Sequence, residues 1–152
     1  ATAPTTGSPA DPVSPGCHAG GMYDPWEGVP SGWTVTRAAI TTRGYCDHAR
    51  RLIVINARLS RVEERCTLTH EIIHAERGPV PAHHAAREER IVDAEAARRL
   101  IPLDALLEAV RWACCPAEAA EVLGVDVPTL LTRLATLTPV SRGPVATRPA
   151  VP

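Results

Sequence analysis

The chain has 152 residues, a hydrophobic fraction of 45% and a formal net charge of −1, enough for one domain with a small appended module. It contains no Phe, and all sixteen basic residues are arginine; this predicts an aliphatic core and, at this net charge, no long-range attraction to nucleic acid. No run approaches the roughly 18–20 apolar residues of a membrane span and no leader-like segment is evident, so the expected location is the cytoplasm, with no membrane contact.

Residues 1–21 carry Pro4, Pro9, Pro12 and Pro15 among Thr, Ser and Gly, a composition that predicts a disordered lead-in. Met22-Tyr23-Asp24-Pro25-Trp26 is the first cluster able to anchor on a core, and Trp33 to Arg37 alternates like a short strand. A turn at Thr41–Gly44, then Tyr45-Cys46, a polar break at Asp47–Arg50 and the apolar run Leu52–Ile55 predict a β-hairpin. Tyr23 and Tyr45 have no spacing that assigns either as an oxyanion stabiliser.

Ser60 followed by Glu63 is a capping box, and Gly78-Pro79 is a stop signal, so a helix is expected over Arg61–Arg77. Val62, Leu68, Ile72, Ile73 and Ala75 are its expected buried residues. This helix holds His70-Glu71-Ile72-Ile73-His74. Histidines four apart project from nearly one helical face and can share a Zn²⁺, while Glu71, about 100° further round than His70, reaches a water beside the metal without becoming a ligand. The pattern points to a metal hydrolase with Glu71 as its general base.

A loop over Gly78–His84 precedes a second helix, Ala85–Leu100, in which Glu89, Asp93, Ala96 and Leu100 form one inward stripe. A catalytic zinc needs a third protein ligand, and this stripe supplies two candidates. Glu89 is the leading one; Asp93 is either an alternative ligand or a partner that hydrogen-bonds a ligand imidazole. Glu88 and Glu95 lie off the stripe and are expected in solvent. His83, His84 and His48 read as exposed, His48 being able to border the cleft, and Cys66 reads as a small buried residue rather than a fourth ligand. The five cysteines, an odd number that includes Cys17 and adjacent Cys114 and Cys115, are expected as free thiols.

Pro102 can open a helix over Leu103–Trp112, and Pro116 another that ends at Gly124. Asp126 and Pro128 start the last helix, through Leu137, with Leu130, Leu131, Leu134 and Leu137 as its apolar side. The last pair has the size of a helix-turn-helix, but Arg133 is the single basic residue of its second helix, so direct DNA binding is disfavoured relative to packing or protein docking. A disordered tail is expected over 139–152.

Three segments taken together are specific. Arg65-Cys-Thr-Leu-Thr-His-Glu-Ile-Ile-His74, the preceding strand Leu52-Ile-Val-Ile-Asn56 and the following Glu89-x-x-Val92-Asp93-x-x-Ala96-x-x-x-Leu100-Ile-Pro102 resemble the ImmA/IrrE family of metallo-endopeptidases, over about residues 40–137. Val92-Asp93 stands where that family commonly has Ala-Asn or Ala-Asp, and Glu95 where an aromatic is usual. The resemblance implies an α+β fold: a small zincin-like domain over 22–102, followed by a helical, helix-turn-helix-like module over 103–138. It implies zinc held by His70, His74 and Glu89, with Glu71 catalytic. It also implies a protein substrate, a helix-turn-helix repressor of a phage, mobile element or stress system. The competing expectation is a DNA- or partner-binding regulatory module whose metal site is structural, which would require a fourth protein ligand such as Cys66 or His83.

Overall fold

The computed structural model describes residues 23–137, so Met22, Cys17, the expected lead-in over 1–21 and the expected tail over 139–152 lie outside the described residues. The fold is α+β, a three-stranded sheet followed by five α-helices. The strands are β1 (Thr34–Ala38), β2 (Gly44–Asp47) and β3 (Leu52–Asn56). The helices are α1 (Arg61–Arg77), α2 (Ala85–Leu100), α3 (Leu103–Trp112), α4 (Pro116–Leu123) and α5 (Val127–Leu137).

The expected hairpin is β2–β3, antiparallel with Tyr45 opposite Val54; β1 adds to the far side of β3 in parallel, Thr34 opposite Leu52, giving the order β1-β3-β2. β3 is the middle strand, which is why its side chains form a continuous apolar run rather than an alternating one: Ile53, Val54 and Ile55 are all buried. Its last residue, Asn56, donates from its side chain to the carbonyls of Ile40 and Thr42 and fixes the β1–β2 connection. β2 is left as an edge.

α1 begins and ends where its local signals place it. The Ser60 N–H donates to Glu63 Oε2 at 2.9 Å, the Glu63 N–H donates back to Ser60 Oγ at 3.3 Å, and Gly78 closes the helix at φ 83° with its N–H on the His74 carbonyl. Ile53, Ile55, Leu68 and Ile72 pack the helix onto the sheet. Val62 is an exception to the expected buried set: it sits in the first turn, beyond the sheet, and is exposed. The Gly78–His84 connection contains one 3-10 turn, Ala82–His84.

A larger apolar cluster joins α1 and α2 to the last three helices. Cys66 of α1, Leu100 of α2 and Leu106, Ala109, Ala119, Ala120, Leu123 and Leu130 of α3–α5 are among its members, so the last three helices share their core with α1 and α2. Pro102 sits at the cap of α3, with Leu103 as the first helical residue, while Pro116 does open α4 and Gly124 ends it at φ 61°. On α5 the expected apolar side is only partly used. Leu130 is buried, but Leu131 and Leu137 are exposed, and Arg133 is buried in their stead with its Nε donating to the Ile101 carbonyl at 2.9 Å. The helix is rotated so that this guanidinium, which satisfies a carbonyl just past the end of α2, takes the inward position.

Candidate metal centre

Antiparallel packing of α1 and α2 brings the predicted residues together. His70 Nε2 and His74 Nε2 lie 3.0 Å apart. The Glu89 carboxylate faces both, with Oε2 3.3 Å from His70 Nε2 and Oε1 3.3 Å from His74 Nε2. These three residues offer ligand atoms that all lie within 4.8 Å of one another. Zinc bonds of about 2.0–2.1 Å in a tetrahedral arrangement separate neighbouring donors by about 3.3 Å, so the spacing suits one such ion.

Asp93 takes the other of its two expected places. Its Oδ1 lies 3.0 Å from His70 Nδ1, on the side of the ring away from Glu89. A proton on Nδ1, shared with that carboxylate, leaves Nε2 with its lone pair free, the tautomer a metal ligand requires. Burial, followed by the neighbouring His70, lowers the pKa of His74, which favours the neutral ring a metal ligand needs. The donor chemistry therefore fits a divalent metal.

Glu71 is the buried member of the group, at 7% exposure. Burial, and then the charge on Glu89, push its carboxyl from 4.5 up to about 7. Such a carboxyl is poised to exchange protons near neutrality, as a general base must be. Its neighbour across the cleft is Gly44, the first residue of β2. A Cβ there would lie 2.8 Å from Thr67 Cγ2 and 3.2 Å from Glu71 Oε1, so the edge strand can approach α1 this closely only with glycine.

Gly44, His70 and Glu71 border two lobes of one cleft. The larger, about 400 Å³, runs along Tyr45, Cys46 and His48 of the hairpin to His74 and Glu89. The smaller, about 270 Å³, lies between Thr67, Asp93 and the start of the last helix, at Asp126 and Thr129. Asp126 binds Arg43 across this lobe at 2.7 Å and accepts from the Thr129 N–H at 3.0 Å. Burial works to raise the Asp126 carboxyl, but the bonds from Thr129 and Arg43 outweigh it and hold it below the usual range.

His48 is half-buried, edge-on to Trp33, and borders the larger lobe. The nearby Cys46 thiol is pushed up to about 11 by burial and by the Glu71 and Asp47 charges, which keeps it protonated. His83 and His84 are exposed on the 3-10 turn, outside the donor group. Cys66 is buried and accepts from the Asp126 N–H at 3.5 Å, as expected of a packing residue. Tyr45 borders the larger lobe, whereas Tyr23 packs against the α3–α5 cluster.

The expected exposure of Glu88 and Glu95 fails, as it does for His48. Glu88 is buried, not solvated: it pairs with Arg77, whose Nη2 lies 2.9 Å from Glu88 Oε2 and whose Nε also donates to it. Arg77 holds the Glu88 carboxyl below the usual range. The end of α1 thus grips the first turn of α2 one residue before Glu89, which sets the rotation that aims Glu89 at the histidines. Glu95 is half-buried rather than free, paired with Arg98 and Arg99. Sequence periodicity missed the Arg77–Glu88 pair, the Gly44 contact and the Arg43–Asp126 bridge because each depends on a partner from another element. Only Asp126 had a local signal, the Asp-x-x-Thr spacing of a helix start.

No curated protein matches the chain. Over residues 35–135 it matches the peptidase M78 family, the IrrE N-terminal-like domain, a span that runs from within β1, through α1 and α2, to within α5. The chain therefore belongs to this metallopeptidase family, the one its two histidines, strand and second-helix carboxylates resemble.

Proposed function

We propose that the chain is a zinc-dependent endopeptidase that acts in the cytoplasm on a regulatory protein, a helix-turn-helix repressor of a phage, mobile element or stress system. The observation that carries the reading is the convergence of His70, His74 and Glu89 on one point beside a buried Glu71. Zinc held by those three residues supplies Lewis acidity for a peptide carbonyl and brings the pKa of water toward about 7. Glu71 accepts the proton of the attacking water and delivers it to the leaving nitrogen. Asp93 fixes the His70 ring. The exposed edge of β2, running beside the larger lobe from Gly44 to Asp47, suits an extended substrate backbone that adds as a strand.

The structural-metal alternative loses ground on two points. Among the described residues the donor group has three members, and neither Cys66 nor His83 joins it. Arg133, the one basic residue of α5, is buried on the Ile101 carbonyl and so cannot serve a DNA phosphate. Among the described residues no helix is long and apolar enough to cross a membrane.

The test is co-expression with a candidate repressor, most simply one encoded beside this chain, followed by mass spectrometry of the products. The wild type is expected to cut one bond. Glu71→Gln, which keeps all three ligands, is expected to retain metal and to lose about 10²–10⁴ in rate. Full cleavage by Glu71→Gln would refute the reading.

A further inference from the structure

α3 packs on α4 through Leu106 and Ala109, and borders neither lobe of the cleft. About a quarter turn from that buried face it presents a second apolar stripe. Leu103, Leu107 and Val110 recur at spacings of four and three and are 47%, 54% and 43% exposed. These are the spacings of a coiled-coil seam, and such a stripe in water calls for a partner.

The charges beside the stripe say which partner. Asp104 and Arg111 lie two turns apart on one flank of the seam, and neither enters an ion pair among the described residues. When two identical helices pair antiparallel, residues on the same flank meet, and the register centred between Leu107 and Glu108 sets Asp104 against Arg111 of the second copy, twice. A parallel pairing would put the two Asp104–Arg111 flanks on opposite sides of the seam and form neither contact. With Glu108 also present, α3 carries more acid than base, which suits neither an anionic membrane nor nucleic acid. A net charge of −1 puts little repulsion in the way of self-association.

We propose that α3 is a self-association surface, on which two copies of this chain pair antiparallel about a two-fold axis, burying Leu103, Leu107 and Val110. The pairing is isologous and closes at two copies. It leaves both cleft lobes open and does not depend on the peptidase reading. With three seam residues per helix it is a weak dimer, with a Kd on the order of 10 µM or above.

Analytical ultracentrifugation of the full chain, from about 5 to 500 µM, tests it. The weight-average mass is expected to rise from one chain to two. Asp104→Arg turns two attractive contacts repulsive and is expected to weaken association roughly tenfold; adding Arg111→Asp to it reverses both partners and is expected to restore the wild-type Kd to within about twofold. Leu107→Arg is expected to give single chains throughout. These positions are exposed, and unchanged circular-dichroism melts check that each variant is folded. A wild type that stays a single chain at every concentration, a double variant no tighter than Asp104→Arg, or a Leu107→Arg that still pairs like the wild type would each overturn the proposal.

Discussion

The cleft and the apolar cluster of the last three helices bury different chemistry. Lining the cleft, Thr67 and Glu71 are buried; the cluster that α1 and α2 share with α3–α5 is Cys66, Leu, Ile, Val and Ala, and Arg133 is the one buried charged side chain of α3–α5. The contrast extends to titration. Beside the His70, His74 and Glu89 group, Glu71 is held above its ordinary pKa, because burial and Glu89 oppose its charge. At the junction with α5, Asp126 is held below its own, because Thr129 and Arg43 favour its charge. One region is built for cohesion, and the other keeps a carboxyl in a state that costs stability and serves proton transfer.

Substitutions in the two regions should therefore differ in sign as well as size. The largest loss is expected in the apolar cluster: Leu106→Ala, at a site 1% exposed, should cost about 3 kcal/mol in a denaturant titration. A loss within a few tenths of zero would mean that the last three helices do not fold together with the rest. Glu71→Gln should move the other way. In the metal-free chain the folded carboxyl binds its proton up to about pH 7 whereas the unfolded one releases it near 4.5, so wild-type stability falls as pH rises through that window. Glu71→Gln lacks this loss, and at pH 8 it should be more stable than wild type by on the order of 3 kcal/mol, the gap closing below about pH 4.5. A pH-independent gap would contradict the burial account.

Asp93→Asn sharpens the comparison within the cleft. It should lower metal affinity by about 10–100-fold without removing the site, as expected for a group that orients a ligand ring. Complete loss of metal would make Asp93 a ligand. The smallest effect belongs to the junction: Asp126→Ala should cost about 1–2 kcal/mol at pH 7, for a lost cap and a partly exposed ion pair. Since the folded Asp126 carboxyl is held low, its contribution should be present above pH 4 and fade as acid protonates it. A cost that persisted in acid would assign it to packing.

The same contrast explains what could be read from the sequence. The bounds of α1 and α2 were legible because their signals are local: the Ser60–Glu63 box, Gly78, and the stripe of Glu89, Asp93, Ala96 and Leu100. The histidine pair was legible because helical geometry alone aligns it. Glu88 was misplaced because its fate depends on Arg77, across the α1–α2 turn, and helical phase says nothing about such a partner. Arg133 is similar: a charged residue turns inward only because a carbonyl at Ile101 waits for it. The parallel addition of β1 to β3 was invisible for the same reason, since neither strand's pattern encodes its neighbour.

The central claim is that His70, His74 and Glu89 bind one metal beside a base that is not a ligand. Zinc affinity of the purified chain, measured by competition with a chromophoric chelator, tests it most directly. Glu71→Gln should bind one zinc with wild-type affinity to within about twofold, while Glu89→Ala should lose 100-fold or more, on the order of 3 kcal/mol. Unchanged affinity in Glu89→Ala, or loss of zinc in Glu71→Gln, would contradict the account.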